Sequence, residues 1–335
     1  MNDIEDCDFG SYGSSTTKSN GNKKKVDYKD IDKHKVESAK MQKRAPRVGY
    51  VTSLVDLGVQ DLGNNEDEWK GSEQDELEEI AKNPKVSFVD KMGKRWKVSP
   101  RGEARCCTFG VTFPKAIIDE GNFFGKSDPK PLTLFLGGSF YEKGIKKTVV
   151  GKPISTRMTT KGFDDGVFSL AKNNTAYMMA AAAGVIENGD ALRPEKIGGI
   201  IGKAMMFETQ VFFKQGSDGK EYYNEYIKFN GALPEGMDAP KFNGKLSLIR
   251  FDVAPSEDSL SILRGKWHIL NTIERAKNFE GSELQKALLE AGIIKGGADV
   301  QPQESVPQNA PQSVVEPTAQ DDDDFDPFGD GSAPF

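Results

Sequence analysis

The sequence predicts an α+β chain, mainly β: a small antiparallel barrel or sandwich, interrupted by a helix and carried between disordered ends. Three observations lead there. From about residue 85 the apolar residues come in short β-rich runs separated by Gly, Pro and Asp, the spacing of strands and tight turns. One stretch, "FSLAKNNTAYMMAAAAGVI" (168–186), is instead rich in Ala and Met and reads as a helix. Only 36% of the 335 residues are hydrophobic, so part of the chain lacks the apolar surface needed to offset the entropy of ordering.

Taken in order, residues 1–45 are rich in Ser, Gly, Asn and Lys with almost no apolar periodicity, which predicts a disordered basic arm. Its cluster "NKKKVDYKDIDKHK" is either a phosphate contact or a solvated charge run. Residues 46–84 read as an acidic loop, "QDLGNNEDEWKGSEQDELEEI" (60–80), leading into a short helix stopped by Asn83-Pro84. The body is expected over 85–295, with strands at 86–89, 94–99, 104–113, 132–136, 203–214, 220–229 and 245–253. Gly184 is placed to end the 168–186 helix. A second helix is expected over "GSELQKALLEAG" (281–292), where Ser282 and Gln285 have the spacing of a capping box. Residues 296–335 are a Pro/Gln/Ser/Val linker and an acidic tip, and the tether of about 25 residues reaches roughly 25–30 Å as a coil.

Charge is segregated along this order. Residues 1–50 hold 11 Lys/Arg and 8 Asp/Glu, 51–80 hold one and 10, 81–295 hold 33 and 24, and 296–335 hold none and 9. A basic body therefore precedes an acidic terminus, which points to a polyanionic partner for the body.

Several classes are set aside. No run of about 18 apolar residues predicts a membrane span, and the N-terminus lacks the basic-then-apolar order of a secretion signal, so a cytoplasmic protein is expected. Cys7, Cys106 and Cys107 cannot form a disulfide framework, and with only His34 and His268 beside them no zinc site is expected. "GGIIGKA" (198–204) lacks the first Gly and the final Ser/Thr of a phosphate-binding loop. The pair Asp164-Asp165 reads as a solvated turn, and His268 beside Trp267 as a packed histidine. The chain is expected not to be an enzyme and to need no cofactor.

The informative stretch is "GKAMMFETQVFFKQGSDGKEYYNEYIKFNG". Asp218-Gly219 marks the turn of an antiparallel hairpin. Alternation sends Phe207, Val211, Phe213, Tyr223, Ile227 and Phe229 to the core. It leaves Phe212, Tyr222 and Tyr226 outward with Lys214, Lys220 and Lys228. Rings interleaved with ammonium groups suit unpaired nucleotides, because any base stacks on a ring and phosphates neutralise lysines. The same composition also occurs on an ordinary β-surface with lysines lying over rings. A second basic run, "KMGKRWKVSPRGEAR" (91–105), adds Lys94, Arg95, Lys97, Arg101 and Arg105 as candidate contacts, with Trp96 sharing the parity of Val98 and so expected in the core.

The tip, "DDDDFDPFGDGSAPF" (321–335), places rings on a highly charged segment. It resembles the acidic, Phe-ended C-terminal tails of bacterial and phage single-stranded DNA-binding proteins, although Gly-Asp-Gly-Ser-Ala intervenes here before Pro334-Phe335. Over about 85–255 the body is also similar to the phage members of that group. The resemblance implies an OB-fold-like barrel that coats single-stranded DNA during phage replication, recombination and repair in the cytoplasm of an infected bacterium. It implies that Asp321, Asp322, Asp323, Asp324, Phe325, Asp326, Phe328 and Phe335 recruit replication proteins such as a polymerase or helicase/primase, with Phe328 or Phe335 as the anchoring ring. The same residues are compatible with a strand-annealing mediator or with a phage structural or scaffolding protein.

Overall fold

The computed structural model describes residues 28–91, 93–137, 153–163, 166–216 and 219–295. The expected Asp164-Asp165 turn, Asp218, most of the N-terminal arm and the acidic tip lie outside these residues. The elements in chain order are α1 (Tyr28–Ala39), β1 (Ala45–Asp61), β2 (Asn64–Glu68), α2 (Glu73–Lys82), β3 (Ser87–Lys91), β4 (Lys94–Pro100), β5 (Glu103–Ile118) and β6 (Lys130–Leu136). They continue with β7 (Ile154–Ser155), β8 (Met158–Thr159), β9 (Ser169–Leu170), α3 (Thr175–Ala182), β10 (Ala204–Gln215), β11 (Glu221–Gly231), β12 (Ser247–Ile249), α4 (Glu257–Ser261), α5 (Trp267–Glu274) and α6 (Glu283–Glu290).

The result is a mixed α/β chain built on a mostly antiparallel sheet in the order β11-β10-β1-β5-β6, with β12 added parallel to β1 and β7 added antiparallel to β5. β1 organises it. Register shifts between Val51 and Ser53 and between Asp56 and Gly58 bend this strand, so its first part pairs with β10 and its later part with β12. The sheet curls until β6 and β11 approach one another, yet they share no ladder among the described residues. The expected closed barrel is therefore corrected to a curled, open sheet.

Two further expectations need correction. The sequence groups residues 46–61 with the acidic loop, but they form β1, which is buried from Val51 to Gly58. A strand covered on both faces loses its polar alternation, and that is why "YVTSLVDLG" does not announce itself. Its glycines fit close packing: a Cβ at Gly49 would lie 2.6 Å from Val111, and one at Gly58, whose φ is +72°, 2.5 Å from Ala276. The second correction concerns the arm. Residues 28–39 are helical, and α1 buries Ile31, Val36 and Ala39 as it packs on β5 and β10. Its charged residues dominate the composition and mask that short apolar stripe.

The curl encloses one core. Phe109, Val111, Phe113, Leu134, Met205, Phe207, Val211 and Ile227 fill it, and Ala176, Tyr177, Met179 and Ala180 of α3 close it. A second core lies on the outer face beyond the bend of β1. There Val55, Leu57, Cys106, Phe135 and Ile249 pack against Leu263, Ile269, Ile273, Leu284 and Leu288 from the C-terminal helical segment. Cys106 and Cys107 are free and buried, and burial pushes the Cys106 thiol up to about 12.

The caps explain the helix ends. α2 starts at Ser72, whose hydroxyl accepts from Asp75 N while the Asp75 carboxylate accepts from Ser72 N. The 168–186 helix is shorter than expected because Asn174 caps it, its side chain accepting from Ala176 N at 2.9 Å. Gly184, at φ +66°, ends it as expected. In α6 Ser282 accepts from Gln285 N at 3.1 Å, while Gln285 turns back to accept from Gly281 N at 2.8 Å. Of the 245–253 strand only β12 forms.

Candidate nucleic-acid interface

The hairpin β10–β11 pairs Glu208 with Lys228, Gln210 with Tyr226, Phe212 with Asn224, and Lys214 with Tyr222. Directly opposed residues of an antiparallel pair share a face. One face therefore carries Phe212, Tyr222, Tyr226, Lys214 and Lys228, as the alternation predicts. The opposite face carries Phe207, Phe229 and Ile227 into the core. Tyr222 is 49% exposed, Phe212 and Tyr226 are half-buried, and Lys214 forms no ion pair among the described residues. Lys220 precedes β11, where its carbonyl accepts from Gly216 N at 2.8 Å and closes the hairpin.

Arg44 was missing from the sequence-based set. Its guanidinium carbon lies 4.0 Å from the Tyr226 ring centroid, over the face of the ring. Arg44 Nη2 also reaches Glu208 Oε2 at 2.9 Å and donates to the Tyr226 hydroxyl, which itself donates to Glu208 at 3.1 Å. The bond from Arg44 holds the Glu208 carboxyl below its usual range. Burial, and after it the bond to Glu208, raise the Tyr226 phenol. Arg44, Tyr226 and Glu208 thus form one planar cation, one ring and one anion locked together at the centre of the face.

The same face continues across the sheet. Pro46 lies opposite Glu208, Val48 opposite Met206, and Tyr50 opposite Ala204. Tyr50 in turn faces Thr112, which faces Thr133. The Thr112 hydroxyl lies 2.8 Å from those of Thr52 and Thr133, making a row of hydroxyls. Two things bound this surface. The core built with α4, α5 and α6 covers the far half of the outer face, and the connection between β11 and β12 crosses at Tyr50. There the Tyr50 hydroxyl donates to Pro240 O at 2.8 Å, and the Phe242 ring stacks on Tyr50 with centroids 5.1 Å apart and planes 20° from parallel.

The second basic run is placed elsewhere. Lys94, Arg95 and Lys97 lie on β4, the middle strand of a separate sheet in the order β2-β4-β3. Each meets a carboxylate: Lys94 Nζ reaches Glu68 at 2.9 Å, Arg95 grips both oxygens of Glu76 at 2.8 and 2.7 Å, and Lys97 pairs with Glu79. The acidic segment is therefore the internal counter-charge of this run. Trp96 is half-buried on the same strand. Arg105 closes a forked pair on Asp56, whose carboxylate also accepts from Gly58 N at 2.9 Å. Arg101 sits at the β4–β5 turn, where its N donates to Gly63 O at 2.9 Å and its carbonyl accepts from Arg157 at 2.8 Å. The hairpin residues thus share one face, and the β4–β5 residues do not join them on it.

Arg44, Tyr50 and Phe242 are the residues that sequence reasoning passed over. Alternation in "RVGY" and the lysines flanking Phe242 at 241 and 245 are the signals that mark them. His268 is packed as expected: burial, then Lys266, push it down to about 4, so it is neutral at pH 7. Among the described residues no cluster of His, Cys, Asp or Glu has metal-binding geometry, and no helix is long and apolar enough to cross a membrane. No protein-family model, curated protein or solved structure matches the chain.

Proposed function

We propose that the chain is a non-catalytic single-stranded DNA-binding protein that uses the open outer face of β11, β10 and β1. The observation that carries this is the hairpin register, which sets exposed Tyr222 and half-buried Phe212 and Tyr226 beside Lys214 and Lys228 on one face. Stacking contributes roughly 1–3 kcal/mol per base and is indifferent to base identity, and lysines add the sequence-independent phosphate term. Arg44 fits the same use, since a guanidinium on a ring can keep one face for a base and turn its edge to a phosphate. Duplex DNA offers no unpaired base faces, so single strands are preferred. The curled antiparallel sheet with its inserted helix supports an OB-fold-like description of the body.

Residues 321–335 complete the proposal at the level of sequence. Their six aspartates and three phenylalanines suit two exclusive contacts, the chain's own basic face and the apolar, basic-rimmed surface of a replication protein. DNA on the face frees the tip for recruitment. The likeness of the tip to the tails of phage single-stranded DNA-binding proteins extends the reading to phage DNA replication, recombination and repair in the cytoplasm of an infected bacterium. The test is fluorescence anisotropy of labelled single- and double-stranded oligonucleotides in dilute buffer. A clear preference for single strands that decays with added salt is expected, and equal or absent binding refutes the proposal.

A further inference from the structure

The Tyr50–Phe242 stack has the form of a nucleotide slot, and its environment points the same way. Tyr50 lies on the face that carries Phe212, Tyr222 and Tyr226, between the rings of the hairpin and the hydroxyl row of Thr112 and Thr133. Its ring is covered by one residue of the 232–246 connection, which contains no helix or strand. That connection folds on itself around the same ring: a Cβ at Gly244 would lie 2.2 Å from Phe242 Cζ. Phe242 is therefore held between its own backbone and Tyr50. Gly231 ends β11 at φ +140° just before the connection, and Gly236 turns within it at φ +76°, two points where a strap can swing. Lys203, next to Ala204, and Lys241 are exposed and form no ion pair among the described residues, so the rim carries two uncommitted ammonium groups.

Resting on the single-strand reading above, we infer that Tyr50 and Phe242 form a slot for one unpaired nucleobase. Phe242 keeps Tyr50 covered in the free protein. When a strand lies along the face, the strap lifts, a base enters between the two rings, and Lys203 and Lys241 take the flanking phosphates. A base inserted parallel to the two rings, which already lie 20° from parallel, stacks on both, so the aromatic surface exposed on opening is covered again. A paired base has no free face to offer, so the slot adds to the preference for single strands.

The full-length chain and a short oligo-dT strand test this in low salt. Phe242→Trp should show Trp emission quenched by the oligonucleotide beyond the wild-type change; bound oligonucleotide without that quenching overturns the slot. Tyr50→Leu and Phe242→Leu should each weaken binding about tenfold, while Tyr50→Phe, which keeps the ring and loses only the bond to Pro240, should bind at least as tightly as wild type. Lys203→Ala with Lys241→Ala should flatten the salt slope by about 1.4, the value for two phosphate contacts on a single strand. Wild-type affinity in the Leu variants, together with weakened binding in a Tyr222→Ala, Tyr226→Ala variant, overturns the slot and leaves the hairpin face standing. No binding by the wild-type chain overturns both.

Discussion

Arg44, Tyr226 and Glu208 show what single residues decide. Arg44 shields the ring and also neutralises a carboxylate that would repel phosphate. Glu208→Gln should therefore tighten single-strand binding severalfold at low salt, an anisotropy titration being the check, whereas Tyr222→Ala with Tyr226→Ala should weaken it severalfold. Which of these side chains faced outward was legible in the sequence, because period-two alternation survives on a strand with one open face. Arg44 was not, because its partners lie 164 and 182 residues away and a lone arginine carries no local pattern. His268 carries a separate prediction. Its folded value of about 4 lies below the unfolded value of about 6.5, so the unfolded chain binds more protons between these limits. Stability should be fully present above pH 6.5 and fall by about 3 kcal/mol as pH drops toward 4. Urea midpoints across that range check it, and His268→Gln should remove most of the slope.

At the scale of elements, the β2-β4-β3 sheet and α2 form a unit whose apposed surfaces carry opposite charge. Glu76 and Glu79 of α2 meet Arg95 and Lys97, while Glu66 and Glu68 of β2 meet Lys91 and Lys94. Arg95→Ala with Lys97→Ala should loosen α2 and speed proteolysis within 70–84, while changing single-strand affinity less than the Tyr222, Tyr226 pair does. Limited proteolysis and anisotropy on the same variant separate the two effects. β3, β4 and the end of α2 were readable from short-range signals, the β-rich runs and Asn83-Pro84, whereas β2 was not, because its all-exposed run of Asn, Glu and Asp reads as an acidic loop. Their pairing was not, since ion pairs between residues 18 to 26 apart leave no periodic trace. β1 failed for the opposite reason, burial on both sides having erased its alternation. Of the helices of the second core, α6 was expected from its capping box while α4 and α5 were not, and Ile273→Ala, a fully buried deletion in α5, should cost about 2–5 kcal/mol in a denaturant melt.

For the whole molecule, the charge blocks of the sequence take on a structural meaning. Five of the ten acids of 51–80, Asp56, Glu66, Glu68, Glu76 and Glu79, pair with Arg105, Lys91, Lys94, Arg95 and Lys97. The nine acids of 296–335 have no basic residue among them, and under the proposed function they are the block that competes with DNA. Deleting 321–335 should therefore strengthen single-strand binding and abolish recruitment of a replication protein; unchanged affinity with intact recruitment contradicts that part of the account. The central claim is simpler and rests on the hairpin face alone. Titrating labelled oligo-dT and a matched duplex with the full-length chain at several salt concentrations tests it most directly. Tight single-strand binding that falls steeply with salt and drops severalfold in the Tyr222→Ala, Tyr226→Ala variant is expected. Duplex binding of equal strength, or single-strand binding indifferent to those two rings, contradicts it.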